Sequence, residues 1–301
     1  MLNIMEILDM FSTNDFALIL RCIFDRVPII IGGKDKEKID DLLIKLCDLI
    51  PIRKEIVFGT DFLEKEEHDA IIQEEKLDYD NQRIIFRAPV NSEELILNKI
   101  ENLKGWIIGL CTNGNIDSFF EKSLRLRKKN GTSLFIKFDD VNKTEFIKLY
   151  SKTDEKIDTN LEKGIIKKTF SQTEYALERI KRVLDKKIQG HDGINQSIIT
   201  SIIDLSQEEI IIKENIFKKE ILEFYQASRR GLALLTRLNF LNQFQPVMIG
   251  KKTFFEAISY EDISTSRFLD FVNAEWGEQF TNLIDDNKFS ILGDRLDSLW
   301  G

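Results

Sequence analysis

Glycine and lysine follow a short apolar run near the start of the chain, at a spacing that could bind phosphate. Residues 28–31 form the apolar run, Gly32, Gly33 and Lys34 come next, and Lys38 follows in the same turn. In the phosphate-binding pattern G-x-x-x-x-G-K-[ST], glycines let backbone N–H groups surround the phosphates, the lysine reaches the terminal phosphate and the hydroxyl holds magnesium. Gly32 takes the first glycine position of this pattern, and Lys38 takes the lysine position. This turn is therefore the first candidate for a nucleotide site.

Two positions of the pattern carry residues that do not suit phosphate binding. Glu37 stands where the second glycine belongs, and its carboxylate would clash with a phosphate and repel it. Ile39 stands where the hydroxyl belongs and begins an apolar helical face, so we assign Ile39 to the core. A Gly-Gly pair after a strand can also serve only to make the turn. The turn is therefore either structural or a residual phosphate site built from Gly32, Gly33, Lys34 or Lys38.

Further polar residues follow the other apolar runs. Asp139 and Asp140 come directly after the run at residues 134–138. Because ligands of open α/β sheets bind at the carboxyl ends of the strands, this acidic pair could hold magnesium beside the Gly-Lys turn. Asp140 could equally cap a following helix, since aspartate is favoured at that position. Four other residues could reach the same crevice: Asp61, Arg87 (at the end of its strand), Thr112 and Asn113. Residues of these types are also common in turns and helix caps.

These residues need a sheet to bring them together, and the apolar pattern predicts one. Strands are predicted at residues 28–31, 55–59, 83–87, 105–110 and 133–138, with amphipathic helices from 36 to 49, 92 to 103 and 116 to 129. Such alternation favours a mostly parallel sheet that is covered on both faces. We therefore predict an α/β fold over residues 1–150, with a mostly parallel sheet of about five strands and flanking helices.

The pattern changes in the second half of the chain. Apolar residues recur there at helical spacing, which predicts a mainly helical domain at residues 169–301. The lysine-rich span 151–168 has few apolar residues and is assigned as the linker between the two domains. Aromatic residues are frequent in the helical part, and they could anchor a partner, although core positions are the default interpretation. These aromatic residues are Phe254, Phe255, Tyr260, Phe268, Phe271, Trp276, Phe280 and Trp300.

The order of these parts resembles a P-loop ATPase of the AAA-plus kind. A helix leads into the first strand, a Gly-Lys turn follows, a later strand closes on acidic residues, and a helical lid comes last. The likeness covers roughly residues 15–140 and, more loosely, the helices to about residue 241. Residue by residue, it carries over to Gly32, Lys38, Asp139, Asp140 and Arg229, the last of which lies on a predicted helix.

The resemblance implies a scaffold that has lost turnover. In the AAA-plus family the acidic residues orient magnesium and water, and an arginine of the lid reaches the terminal phosphate. Paired arginines such as Arg229 and Arg230 are, however, also common on helix surfaces. Glu37 and Ile39 replace the groups that would grip phosphate and metal. The expectation is therefore a protein with no catalytic residue, no metal site and no resident cofactor. The alternative is an atypical loop that binds a magnesium-nucleotide complex.

Composition narrows the class of partner. The chain of 301 residues has a formal net charge of −8, which disfavours a nucleic-acid binder because such proteins need a basic surface. No apolar run reaches the roughly 20 residues that span a bilayer, and the first residues lack a signal peptide. The three cysteines are widely spaced and the histidines number two, so neither disulfides nor a zinc site is indicated. We expect a cytoplasmic location without membrane contact.

Function follows from these observations only in outline. We expect a non-catalytic regulatory or protein-interaction protein on a degenerate nucleotide-binding scaffold, bound to another protein or to copies of itself. The alternative is a nucleotide-binding P-loop-like ATPase or GTPase. The two expectations differ in whether the crevice beside Gly32 and Gly33 holds a phosphate.

Overall fold

The computed structural model of the protein describes residues 4–5, 11–49, 56–58, 84–89, 107–111, 132–138, 146–150, 157–188, 204–261 and 263–285. These residues form mixed α/β structure, which confirms the predicted class. The helices among them are α1 (Thr13–Phe24), α2 (Lys36–Asp48), α3 (Asn160–Ile188), α4 (Ser206–Asn242), α5 (Lys251–Ile258) and α6 (Thr265–Trp276). The strands are β1 (Ile29–Gly33), β2 (Ile56–Phe58), β3 (Ile84–Pro89), β4 (Ile107–Cys111), β5 (Ser133–Phe138), β6 (Phe146–Tyr150), β7 (Ile249–Gly250) and β8 (Ile284–Asp285).

The main sheet has six strands in the order β2-β3-β4-β1-β5-β6. The first five in this order run parallel to one another, and β6 pairs with β5 in the antiparallel direction. The main sheet therefore has one strand more than the five that the sequence predicts, and β6 is the additional strand. The sequence pattern assigned no element to β6, which is a short edge strand with a lysine in its middle. A separate sheet made of β7 and β8 was not predicted either.

The centre of the main sheet is strand β1. Ile29, Ile30 and Ile31 are fully buried, as expected for a parallel strand that is covered on both faces. Helix α2 packs on β1 and β4, and Gly109 permits the close approach. A Cβ atom at Gly109 would lie 2.8 Å from Cγ2 of Ile39, so no larger residue fits without a shift. The assignment of Ile39 to the core is confirmed.

Part of the predicted linker is helical. Residues 160–168 of the span 151–168 belong to α3, and Leu161, Ile165 and Ile166 are buried there. The linker assignment is therefore wrong for these residues. The many lysines lowered the average hydropathy of the span, but three apolar residues at helical spacing are enough to pack one face of a helix. The division of the chain into two domains stays a prediction.

The helical part has an aromatic core that also receives the N-terminal helix. Phe24 of α1 lies against Phe224 of α4 and Phe271 of α6, with ring centroids 5.3 and 5.8 Å away. Of the aromatic residues considered as anchors for a partner, those between Phe254 and Phe280 that the structure describes are buried or half-buried. Their default interpretation as core residues is therefore confirmed. Trp300 and the helices predicted at residues 92–103 and 116–129 lie outside the described residues.

Candidate functional site

The carboxyl ends of the central strands meet at the edge where the sequence predicts a crevice. Gly33, the last residue of β1, lies level with Cys111 of β4 on one side and with Phe138 of β5 on the other. The chain runs from β1 to β2 at one end of the sheet and from β4 across β1 to β5, so the strand order reverses around β1. Ligands of open α/β sheets bind at such a reversal. The topology therefore suits a ligand beside Gly33.

Several residues of the predicted crevice are known only from their place in the sequence. Thr112 and Asn113 follow the end of β4 directly, and Asp139 and Asp140 follow the end of β5 directly. These four residues and Asp61 lie outside the described residues. Their assignment to the crevice stays a prediction.

Arg87 does not end its strand, and that expectation is wrong. Strand β3 continues through Ala88 and Pro89, which lie level with Leu110 and Cys111 of β4. The backbone of Arg87 is therefore two residues away from the carboxyl edge, at the level of Gly109 rather than of Cys111.

The turn that follows β1 contains only Lys34 and Asp35. Helix α2 begins at Lys36, and the carbonyl of Asp35 accepts the N–H of Ile39 at 3.1 Å, which is the first hydrogen bond of the helix. A phosphate-binding loop needs several residues between strand and helix whose amides can surround the phosphate. A turn of two residues is too short for that arrangement.

The predicted phosphate ligands are accordingly spread over three elements. Gly32 and Gly33 belong to the buried strand β1, Lys34 is exposed in the turn, and Lys38 lies in the first turn of α2. Glu37 is exposed in that same first turn, where a carboxylate complements the positive end of the helix dipole. Glu37 therefore has a structural role that requires no phosphate.

The two neighbouring arginines of α4 have different surroundings. Arg230 donates from Nε and Nη2 to the carbonyl of Ile258, at 3.0 and 2.6 Å, and so caps the end of α5. Arg229 is exposed. The AAA-plus resemblance assigns Arg229 to a phosphate, and that role stays a prediction because Asp139 and Asp140, which the resemblance places beside the phosphate, lie outside the described residues.

A buried cluster of charges, which the sequence analysis missed, joins three helices. Arg267 of α6 is 1% exposed and donates from Nε and Nη2 to Oε1 of Glu162 in α3, at 3.0 and 2.5 Å. Its Nη1 donates to Asp25, which caps α1, at 3.0 Å. Asp25 also pairs with Arg21 of α1 at 2.5 Å. The cluster therefore fixes the end of α1, just before β1, to the first turn of α3 and to α6.

A second set of ion pairs ties the entry to β1 to the helical part. Arg26 adopts the left-handed conformation with φ of 55°, and its Nε lies 3.2 Å from Oε2 of Glu275 in α6. Tyr225 of α4 donates its hydroxyl to Oε1 of Glu275 at 2.6 Å. Bulky residues seldom adopt this backbone conformation. The contacts of Glu275 therefore help to hold the turn between α1 and β1.

The charge of Glu162 is incompletely compensated. Its side chain is 0% exposed, and Oε2 has no hydrogen-bond partner among the residues that the structure describes. Burial raises the pKa of Glu162, and the nearby guanidinium groups of Arg267 and Arg21 oppose that rise only in part. The cluster therefore positions helices at some electrostatic cost, as buried ion pairs commonly do.

The far ends of α3 and α4 form a contrasting surface that is apolar and exposed. We call residues 174–188 and 204–216 the distal arm. Tyr175 is 68% exposed, Val183 is 55% exposed and Ile211 is 60% exposed. A groove of about 660 Å³ runs beside α3 from Gln172 to Leu184 and is closed on its other side by Ile216. The arm therefore offers a concave apolar surface to solvent.

Two findings on the described part of the chain concern metal ions and membranes. Its histidine, cysteine, aspartate and glutamate residues form no group of three that could hold a metal ion. None of its helices is both long enough and apolar enough to cross a bilayer. Comparisons with protein-family models and with curated proteins find no match to this chain.

Proposed function

We propose that this chain is a non-catalytic protein-interaction protein, in which an α/β part serves as scaffold and the distal arm binds a partner. The observation that carries the proposal is the exposed apolar surface of the arm, with Tyr175, Val183 and Ile211 each more than half exposed. Contiguous apolar patches on a soluble protein mark interaction surfaces, because covering them removes apolar area from water at about 25 cal/mol per Å². A groove along a helix suits the apolar face of a partner helix.

The short turn after β1 supports the non-catalytic part of the proposal. Lys34 and Asp35 alone connect β1 to α2, and Glu37 occupies the first turn of that helix. Cys22 of α1 is buried and belongs to no disulfide, which suits a reducing cytoplasm. On this proposal, the α/β scaffold is a nucleotide-binding fold of the P-loop kind that has lost its phosphate-binding residues.

Site-specific photo-crosslinking in cells tests the interaction. A photoreactive residue replaces Val183 on the arm, and a matched variant carries it at Thr236, an exposed position of α4 outside the arm. We expect a discrete adduct from position 183 and none from position 236. Equal labelling from both positions, or none from position 183, would contradict an interaction at the arm.

The nucleotide-binding alternative is favoured by one observation, the reversal of strand order beside Gly33. Its test is the melting temperature with and without magnesium and millimolar ATP or GTP. A ligand at a hundredfold excess over its Kd stabilises the native state by about 2.7 kcal/mol, which is readily measured. The interaction proposal expects no shift and no phosphate release. A shift that Lys38→Ala abolishes and Lys34→Ala preserves would establish the alternative instead.

A further inference from the structure

We infer that the partner of the distal arm is a second copy of this chain, bound through the same surface about a two-fold axis. This inference rests on the proposed interaction function and specifies its partner. Each copy would contribute α3 and α4, so that two helical pairs make a four-helix arrangement. Two-fold dimers are the commonest oligomers, and their interfaces use one self-complementary patch. The arm has the two properties that such a patch requires, in charge and in shape.

The two helical segments of the arm carry opposite net charges. Residues 174–188 contain five basic and three acidic side chains, a net charge of +2, and residues 204–216 contain one basic and four acidic side chains, a net charge of −3. A two-fold pairing brings α3 of each copy against α4 of the other, so opposite net charges face each other twice. A partner helix of a single charge sign would be repelled by one of the two segments.

The arm is also where two copies can approach with little overall repulsion. The whole chain has a net charge of −8, whereas the arm contributes only −1, the sum of its +2 and −3 segments. Electrostatic repulsion between identical chains therefore has its main sources outside the arm. Screening at physiological salt, with a Debye length of about 8 Å, weakens what remains.

Shape provides the second argument for a second copy. The groove follows α3 from Gln172 to Leu184, about 18 Å at the helical rise per residue. Tyr175 and Val183 line the same groove and stand out from it, so each copy carries both the hollow and the side chains that could fill it. At the proximal end of the groove lies a polar contact, in which Gln172 donates to Glu220 at 2.7 Å.

Sedimentation velocity of the purified chain, from about 1 to about 100 µM, tests the inference. We expect a concentration-dependent dimer whose mass is twice 35.1 kDa. Val183→Asp places a charge in the apolar interface and should raise the Kd of the dimer about tenfold or more. The matched control is Phe244→Asp, an equally drastic change at an exposed residue beyond the other end of α4, and it should leave the Kd unchanged.

A charge exchange gives a second test that does not depend on apolar packing. One variant carries Lys186→Glu and Lys187→Glu, and the other carries Glu208→Lys and Glu209→Lys. We expect each variant alone to dimerise more weakly than the parent chain and the mixture to form a heterodimer. Failure of the mixture to associate, although the parent dimerises, would overturn the arrangement of α3 against α4.

The outcomes separate this inference from the proposed function. A monomer at every concentration overturns the second copy as partner. If crosslinking from position 183 in cells then yields an adduct with a different protein, the interaction function stands and its partner is heterologous. If neither a dimer nor an adduct forms, both proposals fail. A dimer that Val183→Asp leaves intact places the interface elsewhere and overturns the inference.

Discussion

The two halves of helix α3 differ in composition and in what surrounds them. In the proximal half, residues 160–173, Leu161, Ile165 and Ile166 are buried against the helical core. In the distal half, residues 174–188, every side chain is exposed or half-buried. Each half also carries a glutamate that pairs with an arginine. Glu162 of the proximal half is buried with Arg267 of α6, whereas Glu178 and Arg182 of the distal half are exposed. The stability of such a helix depends more on the tertiary packing of its faces than on the intrinsic helix propensity of its residues. The proximal half holds the fold, and the distal half offers a surface.

The largest expected effect comes from breaking the buried pair. Arg267→Met leaves the carboxylate of Glu162 buried and without its main counter-charge, which typically costs about 3–5 kcal/mol. The matched change on the distal half is Arg182→Met, which removes a pair with Glu178 at 3.0 Å on an exposed surface. That change should cost about 0.5 kcal/mol or less. Urea unfolding of both variants, at a protein concentration low enough to keep the chain monomeric, measures the difference.

Equal losses for the two arginine variants would contradict the comparison. A double variant, Arg267→Met with Glu162→Leu, sharpens it, because it removes both charges and keeps the site apolar. We expect the double variant to recover much of the stability that Arg267→Met loses, since an apolar replacement of a buried pair is often neutral or stabilising. Asp25 would retain Arg21 as its partner at 2.5 Å.

The next largest effect comes from truncating apolar side chains in the two settings. Ile165→Ala removes a fully buried side chain from the proximal half and should cost about 2–4 kcal/mol. Ile211→Ala makes the same truncation on the distal arm, where the side chain is 60% exposed, and should change the stability of the monomer by less than about 0.5 kcal/mol. Thermal or urea unfolding resolves the two values. A large loss for Ile211→Ala would mean that the arm belongs to the core.

The features that the sequence predicted correctly are those that depend on residues close together in the chain. The α/β class follows from alternating apolar strands and amphipathic helices, and Ile39 was assigned to the core from its position on an apolar face. Strand β5 has the predicted bounds, Ser133–Phe138. The predicted boundary between β1 and the turn that follows is wrong. Gly32 and Gly33 suggested a loop, but strands on both sides pair with them and keep them in the sheet.

Features that depend on distant residues could not be predicted in the same way. Glu162 and Arg267 are 105 positions apart, and Asp25 and Arg267 are 242 positions apart, so no local spacing connects them. One available signal was a charged residue on an apolar helical face, as Arg267 is beside Phe268 and Phe271. The average composition of residues 151–168 concealed the start of α3, because a few apolar side chains on one face are enough to bury a helix that also carries many lysines.

Acidity should affect the buried half of α3 through Glu162. Since burial raises the pKa of Glu162 in the folded state, the folded protein binds this proton more tightly than the unfolded chain does. Stability that depends on Glu162 therefore increases as the pH falls from neutral toward the ordinary value of 4.5. We expect the free energy of unfolding of the parent chain, relative to Glu162→Gln, to rise over this range. Asp25 and Arg21, which belong to the same cluster, are present in both proteins, so the difference between the two proteins reports on Glu162. A difference that stays constant or falls would refute the raised pKa.

The smallest effect concerns two adjacent arginines of α4, which are both exposed and of which Arg230 caps α5. Arg230→Ala removes two hydrogen bonds to the carbonyl of Ile258 and should cost about 1 kcal/mol. Arg229→Ala changes an exposed side chain and should cost less than about 0.5 kcal/mol. Thermal unfolding measures both. If Arg229→Ala instead abolished a nucleotide-induced shift in melting temperature, Arg229 would reach a phosphate and the non-catalytic proposal would be wrong.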